Sequence, residues 1–181
     1  QDTDCTVILD GRSVLVPPPT YNALFIFVHA FHHFMTQGIG LRQLCDLALL
    51  LTAKHDEIDS GELLERLRMY KLMKEWDFFC RLCHEDLGMD ASMAFSDTCM
   101  SDKTLKKAVR LHEFIFSEGN FGTYTKGNGY YFDKPYIVRK TISLYRHNRR
   151  YMQRFAIAPG QTVSHYMNTL NSGFRAILKH K

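Results

Sequence analysis

Arg42 and Asp46 stand in the most distinctive stretch of the chain, GIGLRQLCD at 38–46. Gly38 and Gly40 predict a tight turn whose backbone N–H groups face outward at a helix start, where they could bind an anion. Arg42 and Asp46 are four residues apart, so the acid can orient the guanidinium for bidentate binding of phosphate or carboxylate. The alternative is a structural ion pair that ties this helix to its neighbour.

His29 and His33 are also four residues apart, which places both rings on one side of a helix. This is the ligand spacing of a zinc peptidase helix, but residue 30 is Ala, so the general-base Glu of that chemistry is missing. The pair predicts either histidines at the edge of an aromatic core or contacts to a phosphate or another polar substrate.

Cys80, Cys83 and His84 complete the C-x-x-C-H signature of covalent haem attachment. A zinc site built from the same residues needs a fourth ligand, for which Cys99 is the candidate. Both cysteines fall on the apolar helix face that carries Trp76, where a thiol acts as a small hydrophobic side chain. The pattern therefore favours buried thiols over haem or zinc.

A basic helix in the last third of the chain is a further candidate site. Four of its arginines share one face, and Tyr145 and Tyr151 lie among them; these arginines are Arg139, Arg146, Arg150 and Arg154. Basic side chains interleaved with aromatic rings are typical of surfaces that bind nucleic acid or nucleotide phosphates. The alternative is that the arginines extend into solvent or pair with the acidic first half of the chain.

Helices must position these residues, because apolar side chains recur at spacings of three and four from Thr20 onward. The first predicted helix starts at Thr20, the second runs from Leu41 to Ala53, the third starts at a capping box on Asp59, and the fourth ends at Gly88. The fifth starts at Ser101 or Asp102, the sixth runs from Pro135 to about Phe155, and the seventh passes through Val163 to Ile177. Before them, CTVIL (5–9) and VLV (14–16) flank an Asp-Gly turn and predict a β-hairpin. The predicted fold is mainly α, a bundle of about seven helices with a short N-terminal hairpin.

The predicted organisation is a hairpin at 1–19, which is a remnant of an upstream sheet or an appendage, and a helical domain at 20–181. Residues 1–100 carry 8 Lys/Arg and 15 Asp/Glu, whereas residues 101–181 carry 15 and 4, so the helical domain is acidic over 20–100 and basic over 101–181. This asymmetry predicts attraction between the two halves, an anion-binding face, or merely differently charged solvated surfaces.

Hydropathy and cysteine content predict a protein of the cytoplasm. No apolar run approaches the ~20 residues that a membrane-spanning helix requires. The five cysteines are an odd number, and most lie inside helical patterns, which is typical of free thiols in a reducing compartment.

Several of these motifs resemble a known family. HAFHHF (29–34), GIGLRQLCDLALLL (38–51), an acid-capped helix and SEGNFG (117–122) together are similar to the carboxy-terminal half of an uncharacterised bacterial nucleotidyltransferase-like family. The resemblance extends from about Val7 to about Gly122. It implies an upstream α/β domain in which a Gly-Ser and Asp-x-Asp pattern binds Mg²⁺ and steers attack on a nucleotide phosphate.

This chain departs from that pattern. Asp2 and Asp4 form an Asp-x-Asp, but no Gly-Ser precedes them. The resemblance therefore implies a helical portion that lacks the Mg²⁺-binding carboxylates, is inactive alone, and serves an upstream nucleotidyltransferase domain. The implied nucleotide or substrate contacts are Arg42 oriented by Asp46, with His29, His33 and Asn120 nearby. The alternative is a non-enzymatic interaction module whose basic half binds an acidic partner or nucleic acid.

Overall fold

The structure, a computed structural model, describes residues 5–36, 38–118 and 135–168. Within those ranges it contains a β-hairpin and seven α-helices, and the predicted mainly α fold with an N-terminal hairpin is confirmed. The strands are β1 (Cys5–Leu9) and β2 (Arg12–Val16). The helices are α1 (Pro19–Thr36), α2 (Leu41–Ala53), α3 (Ser60–Met69), α4 (Met73–Leu87), α5 (Asp102–Glu118), α6 (Tyr136–Ile157) and α7 (159–168). Two short 3₁₀ turns lie at His55–Glu57 and Ala91–Ala94.

Most helix boundaries follow from capping residues in the sequence. The Asp59 carboxylate accepts a hydrogen bond of 2.9 Å from the Glu62 amide, which satisfies a donor at the start of α3. Gly88 ends α4 with φ +70°, a backbone conformation that glycine adopts without strain. The helix predicted to begin near Val163 begins at 159 instead, because Pro159 is well suited to the first turn of a helix.

The cap predicted at Thr20 is the exception. Thr20 lies inside the first turn of α1 and is buried, and its hydroxyl accepts a hydrogen bond of 2.9 Å from the backbone amide of Asp59. The side chain therefore joins the start of α1 to the start of α3 and does not cap its own helix.

The core lies among α1 to α5 and is rich in aromatic rings. Phe27 of α1 meets Trp76 and Phe79 of α4 edge to face, with ring centroids 5.2 and 5.5 Å apart. Such geometry favours aromatic pairs beyond the area they bury. The Trp76 indole also donates a 2.8 Å hydrogen bond to the Ala94 carbonyl, so its polar group is satisfied where the ring is fully buried.

Lys71 occupies an unusual position in the turn between α3 and α4. Leu72 donates its amide to the Leu67 carbonyl, and Lys71 donates to the Arg68 carbonyl, which is the hydrogen-bond pattern of a Schellman helix end. Lys71 takes the left-handed position of this motif, with φ +57°, where glycine is the usual residue. The chain thus holds a long cationic side chain at a position that disfavours it.

The hairpin leaves its side chains exposed on both faces. Its strands pair from Cys5 with Val16 to Leu9 with Arg12, and the Asp10-Gly11 turn has positive φ at both residues, as predicted for this dipeptide. Ile8 and Leu15 are 68% and 70% exposed. None of the helices within the described ranges is both long and apolar enough to cross a membrane.

Candidate functional site

The glycine turn before α2 is a structural connection. Gly38 donates its amide to the His33 carbonyl at 2.8 Å, and Gly40 donates to the Gln43 side chain at 3.1 Å. Both glycines are buried. The prediction that these amides face outward to bind an anion is therefore wrong, because both are already used to join α1 to α2.

The ion pair predicted between Arg42 and Asp46 is not formed. Both side chains are exposed on α2, and among the described residues neither makes an ion pair. An exposed pair four residues apart gains little, and an arginine preceding its acid along the helix is the less favourable order. The two residues thus remain solvent-facing candidates for ligand contacts, without the predicted orientation of one by the other.

His29 and His33 do meet on α1. Their Nε2 atoms are 3.1 Å apart, which requires that one ring donates and the other accepts. Burial lowers the pKa of His33, and the neighbouring His29 and His32 lower it further, so the neutral form of His33 is favoured. His29 also stacks on Phe25, with ring centroids 5.9 Å apart.

The basic patch predicted on α6 is only partly on the surface. Arg139 is exposed and Arg150 is half-buried. Arg154 was predicted to extend the patch but is buried: its guanidinium donates to the Thr36 carbonyl at 3.2 Å and lies over the Phe114 ring. The Arg146 side chain and the whole of Asn120 lie outside the described residues.

The cysteines of the C-x-x-C-H motif are part of the core. Cys80 and Cys83 are fully buried, and burial raises the pKa of both thiols, that of Cys83 to about 12. A thiol held neutral in this way is a poor metal ligand and a poor nucleophile. Among the described residues, no three His, Cys, Asp or Glu side chains are grouped as ligands of a metal ion would be.

The structure instead places an apolar cavity between α1 and α7. Its volume is about 610 Å³, which is the size of a cofactor or substrate site. One face of α1 and the turn before α4 supply the apolar lining, which consists of Tyr21, Leu24, Phe25, Val28, Phe31, Met35, Tyr70 and Leu72. Phe25 connects this cavity to the predicted site residues, since it is the ring on which His29 stacks.

Polar groups enter the cavity mainly from α7. They are Gln161, Ser164, His165 and Asn168, and His32 joins them from α1. Burial lowers the pKa of His165, and the nearby Arg154 and His32 act in the same direction. An apolar pocket with a few hydrogen-bonding groups at one side is the usual form of a site for an organic ligand.

A second cavity of about 870 Å³ adjoins the first, and Tyr70, Gln161 and Ser164 line both. Lysine and arginine side chains from α3, α4 and α5 and from the turn between α3 and α4 surround it. The Gln161 side chain lies at the junction and donates a 3.2 Å hydrogen bond to the Lys71 carbonyl.

The sequence contained part of the signal for this site. His32 belongs to the HAFHHF motif, but the spacing of four residues indicates His29 and His33 as a pair and gives no signal for His32. Gln161 and Ser164 lie in a short helix with no motif of its own. Only the packing of α7 across α1 brings these residues together.

A family model described as an uncharacterised nucleotidyltransferase matches residues 4–88, slightly less than half of the chain. The matched range covers the hairpin and α1 to α4, and it ends before the SEGNFG segment. This supports the resemblance to a nucleotidyltransferase-like family over that range. No curated protein and no solved structure matches the chain.

Proposed function

We propose that this chain is the helical, ligand-binding part of a nucleotidyltransferase-like protein, and that its apolar cavity binds the base of a nucleotide or the corresponding group of the acceptor substrate. The observation that carries the proposal is the cavity between α1 and α7. Its α1 side lies within the range that is similar to nucleotidyltransferases.

The lining of the cavity suits a flat, partly polar ring. Phe25 and Tyr21 offer aromatic surface, on which bases stack with little sequence preference. Gln161 and Asn168 each carry an amide that can both donate and accept, which is what the hydrogen-bonding edge of a base requires. Apolar walls and amide groups at one side are therefore complementary to a nucleobase.

The Mg²⁺ implied by the family does not fit the described residues, because no three potential ligand side chains converge there. Asp2 and Asp4 lie outside the described residues. We therefore assign the described residues no metal-dependent step and propose that the metal-binding carboxylates belong to an upstream domain.

The exposed hairpin supports such a neighbour. Two strands alone are marginal in water, and Ile8 and Leu15 are 68% and 70% exposed. A neighbouring domain packed against the faces of the hairpin would cover these side chains. The free cysteines, among which Cys80 and Cys83 are buried as thiols, support a location in the reducing cytoplasm.

Nucleotide titration tests the proposed function. Each of the four ribonucleoside triphosphates is titrated calorimetrically into the wild type and into Phe25→Ala. We expect at least one nucleotide to bind, and the substitution to weaken it about tenfold, because stacking on an aromatic ring contributes roughly 1–3 kcal/mol per base. Phe25 is 66% exposed, so the fold should tolerate its removal.

Leu49→Ala is the matched control, since Leu49 is 68% exposed on α2 and does not line the cavity. It should bind like the wild type. The proposal fails if no nucleotide binds, or if the two variants lose affinity equally.

The alternative, an interaction module that binds nucleic acid through α6, is favoured by one observation. Arg139, Arg149 and Tyr145 are exposed along this helix. A single-stranded oligonucleotide titrated at two salt concentrations distinguishes the two functions. Affinity that falls steeply with salt and is lost in Arg139→Gln/Arg149→Gln would favour the module.

A further inference from the structure

The cavity next to the apolar one is surrounded by cations. Arg68 comes from α3, Lys74 from α4, and Lys103 and Lys107 from α5, while Lys71 comes from the turn between α3 and α4. These five residues lie in two separate stretches of sequence, so no single helix face reveals the cluster. We call this space the lysine cavity.

None of the five cations is neutralised by an ion pair among the described residues. The acid in the lining is Glu75, whose side chain is buried. Burial raises the pKa of Glu75, so its charged form is disfavoured where it lies. Burial also lowers the pKa of Lys107, and Lys74 and Lys103 lower it further, although Glu75 acts in the opposite direction. Like charges therefore repel one another across this cavity.

Two backbone features also favour an anion in the lysine cavity. The lining includes Pro159 and Gly160 at the start of α7. Pro159 has no N–H and the Thr162 amide is bonded to the Ala158 carbonyl, so the Gly160 amide and the helix dipole are what favour an anion there. Lys71 adopts the left-handed conformation that normally belongs to glycine. A strained residue kept at the edge of a cavity is a sign that its side chain has a use there.

We propose that the lysine cavity binds the phosphate groups of a multiply charged ligand through its lysines and arginine, without a metal ion held by this chain. A cluster of five cations against one buried acid calls for an anion with several charges, such as a di- or triphosphate. A single ligand that occupies both cavities would be the nucleotide of the proposed function, and this part of the proposal rests on that function.

The shape of the site favours a small ligand over a nucleic acid. The space is a cavity of about 870 Å³, within the range of sites for small molecules. It adjoins the apolar cavity, since Tyr70, Gln161 and Ser164 line both, so a ligand whose phosphate chain lies in one can place its organic group in the other. A duplex or a long single strand would need an extended surface instead.

The test is calorimetric titration of inorganic tripolyphosphate in the presence of EDTA. We expect the wild type to bind it, and Lys74→Gln/Lys103→Gln to bind about tenfold more weakly or worse, because each substitution removes a charge-assisted contact to the phosphates. Both lysines are exposed, so circular dichroism should show an unchanged fold. Glu75→Gln should bind at least as tightly as the wild type, since it keeps the shape of the lining and removes any remaining negative charge; weaker binding by this variant would overturn the proposal.

Arg139→Gln/Arg149→Gln is the control, because it removes the same number of charges from the exposed face of α6. Equal weakening by this control would show attraction to net charge only and would overturn the proposal, as would the absence of any binding. An oligonucleotide without terminal phosphates should not displace tripolyphosphate. If it does, and if Lys74→Gln/Lys103→Gln weakens its binding, the proposal is overturned in favour of nucleic acid. If Glu75→Gln does not fold, Lys74→Glu replaces it and should abolish binding.

These outcomes are separable from those of the proposed function. Tripolyphosphate lacks a base, so its binding is insensitive to Phe25→Ala if the two cavities are distinct. Loss of nucleotide binding with intact tripolyphosphate binding would refute the proposed function alone. The reverse result would refute the lysine cavity alone.

Discussion

The segment α1 to α5 and the segment α6 to α7 are held in the fold by different means. The first shares a continuous core in which Trp76, Phe27, Phe79 and their neighbours are fully buried. The second presents mostly exposed side chains, including Ile137, Tyr145 and Met152. Among its described side chains, Ile157 and Ala158 enter the core of the first segment, and Arg154 and Thr162 are also buried.

Hydrogen bonds between the two segments have donors in each of them. Arg110 of α5 donates to the Ala156 carbonyl at 3.0 Å, and Arg154 of α6 donates to the Thr36 carbonyl. Gln161 of α7 donates to the Lys71 carbonyl. Both cavities lie along this boundary, between the first segment and α7. A site in such a place can adapt to its ligand without disturbing the core.

The largest effect should come from the core of the first segment. Trp76→Ala removes a fully buried ring that contacts Phe27 and leaves the Ala94 carbonyl without its donor. We expect a loss of about 3–5 kcal/mol in the free energy of unfolding. Urea denaturation followed by circular dichroism measures it. Met152→Ala on α6 should change stability by less than about 0.5 kcal/mol, because Met152 is 69% exposed. Similar losses in both variants would contradict the difference between the segments.

The next effect should be confined to the second segment. Arg154→Met keeps the approximate size of the side chain but removes the donor to Thr36 and the cation above Phe114. We expect a cost of about 1–3 kcal/mol, felt mainly as opening of α6 and α7. Hydrogen exchange should show lower protection in these helices and unchanged protection in α4. Arg149→Met, at an exposed position, should leave both unchanged; an equal loss of protection in α4 would mean that the two segments unfold together.

The sequence predicts the first segment far better than the site. Periodicity and local capping, as at Asp59 and Gly88, determine α2 to α5 because their causes lie within a few residues of their effects. The predicted charge boundary at residue 100 does not coincide with a gap in packing, since α5 packs along α4 across it. Charge composition describes surfaces, whereas the core is shared between acidic and basic segments.

The site could not be predicted in the same way, because it is assembled from distant segments. Sequence spacing indicates Arg42 with Asp46, and Arg139 with Arg154, because it identifies only residues that share one face of the same helix. Spacing cannot show that Arg154 turns into the core toward Thr36, 118 residues earlier in the chain. Lys74 and Lys103 belong to no motif and come together only through the packing of α4 and α5.

The smallest predicted effect separates stability from binding at Lys71, on the boundary between the segments. Lys71→Gly should raise the free energy of unfolding by about 0.5–1 kcal/mol, because the left-handed conformation strains residues other than glycine by roughly 1–2 kcal/mol, part of which the greater freedom of unfolded glycine offsets. The same change should weaken tripolyphosphate binding about threefold, since it removes one weakly placed charge from the lysine cavity. Gly88→Lys is the reciprocal control. Gly88 has φ +70° and open space around its missing Cβ, so only backbone strain should destabilise that variant. Were Lys71→Gly to destabilise the protein, the side chain would hold the turn together; were it to stabilise the protein with unchanged binding, the strain at this position would have no connection with the cavity.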